Sequence, residues 1–451
     1  MRAVATTRRS RIRVLLGTQR INAQGHLEIG GCDTVALARE FGTPLYVMDE
    51  ALLRANCRAY KRAFADRYPE NDIIYAGKAF LCTAMCALLA EEEMCLDVAS
   101  AGELHTALMA GFPPERIFMH GNNKSRAELE MALDARVHRI IVDNELELEM
   151  LIALAKERDR QVDVLFRITP GIDPHTHARI RTGQVDTKFG FEVPNGQAAR
   201  VIERAIAHPN LNVRGIHFHV GSQLLDLEAH RQAIEIAVEL LAQFREDIGY
   251  VAEELDIGGG LGIRYLSSHE PPSIASYADV VVGTLDRCLK EHKLPRPRLL
   301  QEPGRSIAGE AGTTLYTVGP VKEIPGVRTY VVVDGGLSDN PRPALYDARY
   351  EVILANKADQ PADLTVTVAG KHCETDTLFQ DVRVAQPAPG DLLAVQSTGA
   401  YNYAMASNYN RFTHPMVVLV HNGQADVIVE RQTLEDLVRH DVMPARLARP
   451  K

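Results

Sequence analysis

Short apolar or β-branched runs recur along the chain at residues 72–76, 95–99, 116–120, 139–143, 162–169, 213–219, 254–258 and 298–302, and each reads as a strand. Between them lie longer periodic segments at 101–110, 125–135, 145–158, 196–207, 226–247 and 276–291, each long enough to be a crossover helix. Alternation of this kind predicts an α/β fold with a parallel sheet. An open doubly wound sheet and a closed barrel both satisfy it. The span from 72 to 302 comes close to the ~250 residues typical of a (β/α)8 TIM barrel, so the barrel is the expectation. Past Pro303 the pattern changes to strand-like pieces at 314–320, 328–334, 364–369, 391–396 and 416–421, separated by Gly and Pro signals, which read as an all-β domain. Residues 20–48 carry strand-like pieces of their own and are expected to join that domain in space. The expected organisation is a basic tail at 1–19, an N-terminal segment of the β domain at 20–48, the barrel at 49–305 and a C-terminal β domain at 306–451.

Composition narrows the class of activity. A chain of 451 residues exceeds the size at which one core usually stops growing, so two domains are expected. A net charge of −9 argues against a nucleic-acid surface and leaves small-molecule chemistry as the default. The seven cysteines show no paired spacing, so neither a disulfide framework nor a CxxC zinc site is indicated, and a reducing cytoplasm fits. Arg2, Arg8, Arg9, Arg11 and Arg13 read as a solvated basic tail. No apolar run of about 18 residues marks a membrane span.

Candidate chemistry gathers at the C-terminal ends of the expected strands: Lys78, Asp97, His120, Asp143, Arg167, His219, the Gly258, Gly259, Gly260 run, and Glu302. In a barrel those ends form one face, where loops converge on a single opening. Lys78 has small neighbours that leave room for a planar group beside its amine; alone, it reads more readily as a solvent-facing lysine. The three glycines let backbone amides approach an anion, or merely make a tight turn. Alternation places His217 and His219 on one strand face, as a ring-stacking partner with Ser222 nearby, or as a metal pair in a barrel hydrolase with Asp143 or Glu302. Glu302 facing a pyridine nitrogen would attract it by about 4 kcal/mol at ~4 Å and an effective dielectric of about 20. A ring kept protonated in this way is a strong electron sink, suited to decarboxylation. An ion pair between Glu302 and Arg305 is the plainer alternative.

Several stretches occur in one order: Tyr75-Ala76-Gly77-Lys78, Leu96 to Glu103, His217 to Gln223, Glu302-Pro303-Gly304-Arg305, Pro341 to Tyr346, Gly370 to Glu374, and Gly399-Ala400-Tyr401. On these the chain resembles the alanine-racemase-like, fold-type III pyridoxal-phosphate enzymes, and among them the diaminopimelate decarboxylase family, over nearly its whole length. The resemblance implies pyridoxal 5′-phosphate as cofactor, no metal, and lysine formation from meso-2,6-diaminopimelate. It implies that Lys78 binds the cofactor's aldehyde, His219 stacks on its ring, Glu302 meets its ring nitrogen and Asp97 supports the lysine. Gly258, Gly259, Gly260, Gly304 and Arg305 would hold the phosphate, with Ser222 and Tyr401 near it. Arg305, Arg342, Tyr346, Glu374 and Tyr401 would contact the substrate, whose two carboxylates and two ammonium groups want an arginine and a carboxylate. Cys373 would be the general acid; an ordinary thiol is mostly protonated near neutral pH. The family also implies a homodimer, with Cys373 and Glu374 reaching the partner's barrel.

Phe80, where many relatives carry Asn, and Thr375-Asp376-Thr377, in place of a more usual Ser-Gly-Asp, depart from the pattern and leave room for another amino acid such as ornithine, arginine or a carboxylated polyamine. A cofactor-holding protein without turnover is a further alternative.

Overall fold

The computed structural model describes residues 14–169, 188–193 and 195–448, so the Arg-rich segment through Arg13 lies outside the described residues. The chain forms two compact units, one from residues 53–264 and 269–309, the other from 14–52, 265–268 and 310–448.

The first unit is a closed parallel barrel. Its eight strands are Asn71–Ala76, Cys95–Val98, Ile117–Met119, Arg139–Val142, Val162–Thr169, Leu211–His217, Glu254–Asp256 and Arg298–Gln301, and the last pairs with the first. All eight fall on runs expected from the apolar pattern. Helices Ala101–Met109, Arg126–Ala135, Glu145–Glu157, Gln197–Ile206, Glu228–Ile248 and Ile274–His292 form the crossovers. Several start where a short polar side chain can satisfy a free N–H: Ser100 and Asn144 cap two of them, and Ser125 with Glu128 forms a capping box.

Three layers fill the barrel. At the strand starts, Arg139 forms a two-pronged pair with Glu254 at 2.9 and 2.5 Å, both side chains buried. Above it Ile74, Cys95, Phe118, Ile141, Leu165 and Leu300 make an apolar plug. Over that plug, at the strand ends, the interior turns polar, and the plug is its floor.

The second unit is β-rich. Its main sheet runs, in spatial order, Thr377–Val384, Leu364–Ala369, Arg328–Val333, Gly312–Ile324, Leu45–Asp49, Met416–His421, Gln424–Val429. Leu392–Gln396 also pairs with Gly312–Ile324, and Val352–Leu354 with Leu392–Gln396. Leu45–Asp49 lies between two C-terminal strands, so the N-terminal segment does join this domain. Its core includes Leu27, Leu45, Val47, Leu315, Leu392, Ala394 and Val418.

Some elements escaped the sequence pattern. Gln424–Val429 is an edge strand with no fully buried residue, so it shows no clear alternation. Thr377–Val384 is mixed in the same way, with Gln380, Asp381 and Arg383 exposed. Helices Glu50–Ala65 and Thr83–Glu91 flank the first barrel strand and were not expected.

Phe118 is fully buried in the plug, so Phe118→Ala is expected to cost about 3–5 kcal/mol of barrel stability, measured by urea unfolding of the two proteins side by side.

Candidate active site

Lys78 occupies the single 3-10 turn Gly77–Ala79 that follows the first strand. Gly77 and Ala79 are buried, and Lys78 between them is exposed. Its charge disfavours protonation of His219 and favours ionisation of Asp97, so the three groups share one neighbourhood.

The glycine turn follows Glu254–Asp256. Gly258 has φ +65°, and a Cβ there would lie 2.5 Å from Phe218 O; one on Gly259 would lie 2.2 Å from Glu302 O. Only glycine fits at either position. Gly259 N–H donates to His219 Nδ1 at 3.3 Å, and Leu224 N–H donates to Gly260 O at 3.0 Å, which fastens loop 219–224 to the turn. From that loop Ser222 Oγ accepts from Arg305 Nη2 at 2.8 Å. Arg305 opens a short helix right after Gly304, whose own Cβ would meet Ala76 Cβ at 2.9 Å. Hydroxyl, guanidinium and side-chain-free backbone thus converge on one edge of the mouth, a donor set suited to a phosphate.

Deeper in the mouth Asp97, His120, His217, Asp256 and Glu302 are all buried. Glu302 has His120 Nε2 2.8 Å from one oxygen and His217 Nε2 3.3 Å from the other. Burial pushes the Glu302 carboxyl up, but the two imidazoles outweigh it and hold the group well below the usual carboxylate range. Asp256 goes the other way: burial, then the Glu302 charge, push it well above its ordinary value. Burial also raises Asp97. Burial lowers His217 to about 4, against the pull of Glu302. The site therefore holds one ionised carboxylate flanked by acids that resist ionisation.

These pairings decide between alternatives left open by the sequence. Glu302 turns to imidazoles and not to Arg305. His217 turns to Glu302 while His219 takes the Gly259 N–H. Among the described residues one group of three, His120, His217 and Glu302, brings possible ligand atoms within 4.8 Å of one another.

In the β unit, Arg342 opens the short helix Arg342–Tyr346, and its Nε donates to Tyr350 Oη at 2.8 Å. Its guanidinium lies over the rings of Tyr265, Tyr346 and Tyr401 at 5.6, 5.6 and 5.8 Å. Tyr401 itself has φ +62°. Cys373 and Glu374 lie elsewhere in this unit, exposed in the loop between Leu364–Ala369 and Thr377–Val384. Asn410 Oδ1 accepts from Cys373 N–H at 3.0 Å, and Tyr409 Oη donates to Glu374. Asp376 braces the loop: one oxygen accepts from Leu337 N–H at 2.8 Å, the other from His372 N–H at 3.0 Å and the His372 ring at 2.7 Å. The departure from Ser-Gly-Asp therefore keeps a carboxylate, shifted by one residue and anchored inward.

His120 and Arg167 stood out in the sequence as strand-end residues without assigned work. Asp256 and Tyr350 gave no such signal, and Asp376 showed only as a departure from the motif, because their value lies in what they touch.

A parallel barrel with a lysine, a phosphate cradle and an ionised acid at its mouth defines a class, the barrel enzymes that hold a pyridine cofactor. The chain belongs to the pyridoxal-dependent decarboxylases: residues 51–309 match the family model "Pyridoxal-dependent decarboxylase, pyridoxal binding domain". Its relatives carry a more particular name. Diaminopimelate decarboxylase of Bacillus subtilis is 48% identical over 429 residues, which cover 95% of this chain and 98% of that protein. The crystal structure of diaminopimelate decarboxylase from M. jannaschii with L-lysine superposes with a TM-score of 0.91 at 35% identity, covering 96% of this chain and all of that one (100%). That of Helicobacter pylori, also with L-lysine, gives 0.81 at 32%, covering 90% and 98%.

His230 backs the glycine turn from helix Glu228–Ile248, with Nε2 3.4 Å from Gly259 O, and burial lowers its pKa from 6.5 to about 4. Between those values the unfolded chain binds a proton that the folded chain refuses, so stability falls as pH falls through the window, by about 1.4 kcal/mol per pH unit. His230→Asn is expected to flatten the acid limb of unfolding free energy from pH 6.5 to 4; an unchanged limb would contradict this assignment.

Proposed function

We propose that this protein converts meso-2,6-diaminopimelate to L-lysine and carbon dioxide with pyridoxal 5′-phosphate. The observation that carries the reading is the buried, ionised Glu302 at the bottom of a mouth that also presents Lys78. The cofactor, once bound, supplies an electron sink for the electron pair left when the carboxylate departs, and a nitrogen facing an anion is the stronger sink.

The residues fit that group at each of its ends. Lys78 binds its aldehyde, supported by Asp97, and His219 is the stacking partner. Gly258, Gly259, Gly260, Ser222, Gly304 and Arg305 hold the phosphate, with Tyr401. Glu302 accepts from the ring nitrogen. Among substrate residues, Arg342 takes the carboxylate that survives, with its fork pre-aimed by Tyr350; Arg305, Tyr346 and Tyr401 flank the substrate and Glu374 takes the distal ammonium. Cys373 Sγ delivers the proton that replaces carbon dioxide.

We infer a homodimer in which Cys373 and Glu374 serve the partner's barrel. What supports it is their exposure on a braced loop, beside a cleft of about 520 Å³ walled by Leu337, Pro343, Ala344, Glu374 and Tyr409, with Leu345 and Tyr346 exposed in the same unit. A cytoplasmic location is supported by the seven free cysteines. No helix among the described residues is long and apolar enough to cross a membrane.

Lysine release from meso-diaminopimelate tests the reaction: wild type forms it, Lys78→Ala does not, and preference for ornithine or arginine in the same assay would overturn the substrate. Arg342→Ala is expected to raise KM by about 10–100-fold, the loss of a hydrogen-bonded charge pair. Mixing the inactive variants Lys78→Ala and Cys373→Ala after subunit exchange should restore about a quarter of wild-type activity, because half the dimers carry one intact shared site of two. No recovery despite proven exchange would count against shared sites.

A further inference from the structure

The two imidazoles on Glu302 come from separate strand ends. His120 follows Ile117–Met119, with its backbone N–H bonded to Val98 O at 2.8 Å, and His217 ends Leu211–His217. Their rings pack edge to face, 5.1 Å apart at 77°, and each brings Nε2 close to a different oxygen of Glu302, His217 by a hydrogen bond at 3.3 Å and His120 as a 2.8 Å contact. Side-chain exposure is 7% for His120, 1% for His217 and 4% for Glu302, so water does not substitute for either contact.

We propose, on the functional reading above, that His120 and His217 are positioning residues for the reaction: a two-imidazole clamp that fixes the Glu302 carboxyl group and aims its remaining lone pairs at the ring nitrogen of the cofactor. A carboxylate offers about four lone-pair directions. His217 Nε2 takes one of them on Oε2, while His120 Nε2 lies 2.8 Å from Oε1 without hydrogen-bond geometry, so Oε1 keeps a direction open to a further donor. The other charged or titratable groups facing this cluster are Asp97, Glu103, Asp143, Asp256, Arg167, Lys78 and His219. Burial favours a protonated Glu302, and the two imidazoles reverse that balance. Without it Glu302 would take up a proton and offer the ring nitrogen no full negative charge. The clamp acts only through Glu302 and only on the ring nitrogen, which separates it from a role in packing.

The test titrates the apoproteins of wild type, His217→Leu, His217→Gln, His120→Leu and His120→Gln with pyridoxal 5′-phosphate and with its 1-deaza analogue, in which carbon replaces the ring nitrogen. Dissociation constants and the pH profile of the visible band of the bound cofactor are read, with the thermal midpoint as a check on folding. The leucine variants should bind pyridoxal phosphate about tenfold or more weakly, as loss of a hydrogen bond to a charge requires. Their bands should change at a different pH, while glutamine, which returns a donor near Nε2, recovers most of the loss. The deaza analogue should bind wild type and variants alike. Equal weakening for both ligands, or wild-type affinity and an unmoved pH profile in a folded leucine variant, overturns the clamp. Should a leucine variant fail to fold, the asparagine variant, whose amide falls short of Nε2, replaces it under the same two criteria. Failure of the wild type to bind pyridoxal phosphate would instead overturn the functional reading, whatever the variants do.

Discussion

A carboxylate taken out of water must be given donors or give up its charge. Glu302 is given two imidazoles, and burial pushes the neighbouring acids Asp97 and Asp256 toward their neutral forms. Much of the barrel can be understood as the support for this one charge. The apolar plug of Ile74, Cys95, Phe118, Ile141, Leu165 and Leu300 seals it from beneath, and the Arg139–Glu254 pair closes the lower end of the interior with its own charges matched. An effective dielectric lowered by that plug makes each contact to Glu302 count for more than it would at the surface.

Closure of the barrel is what brings the donors together. Asp97, His120, His217 and Glu302 sit at or just past the ends of four different strands, and closing the sheet turns those ends to one mouth. Glycine sharpens the same arrangement at the rim. The turn at Gly258 and Gly259 passes so close to Phe218 O and Glu302 O that no side chain could be added, and this closeness lets His219 receive an N–H from the turn. The phosphate-side donors and the ring-side acid are therefore coupled through a few peptide units.

The β unit solves a different problem, holding polar side chains in place. Arg342 is anchored at Nε by Tyr350 and lies over three tyrosine rings, which leaves the other guanidinium nitrogens to act as a fork. The Cys373–Glu374 loop is exposed, yet Asp376 ties its far end to the backbone of Leu337 and His372. A carboxylate that looked like a departure in the motif is a structural brace.

Periodicity alone determined much here. The eight barrel strands and six of their helices were legible because strand and helix bury different repeats of the same apolar residues, and the Lys78, His219 and Glu302 ends were legible because chemistry in a barrel collects where strands stop. The interleaving of Leu45–Asp49 between C-terminal strands was visible only as an apolar stretch near the start. Edge strands such as Gln424–Val429 bury too little to show a repeat. What the tertiary structure decided was charge and partner: that Glu302 is held below the usual carboxylate range and Asp256 above it, that His217 faces Glu302 while His219 faces the glycine turn, and that Asp376 points inward. Protonation and hydrogen bonding depend on burial and on neighbours far apart along the chain, such as His217 and Glu302, so no local pattern encodes them.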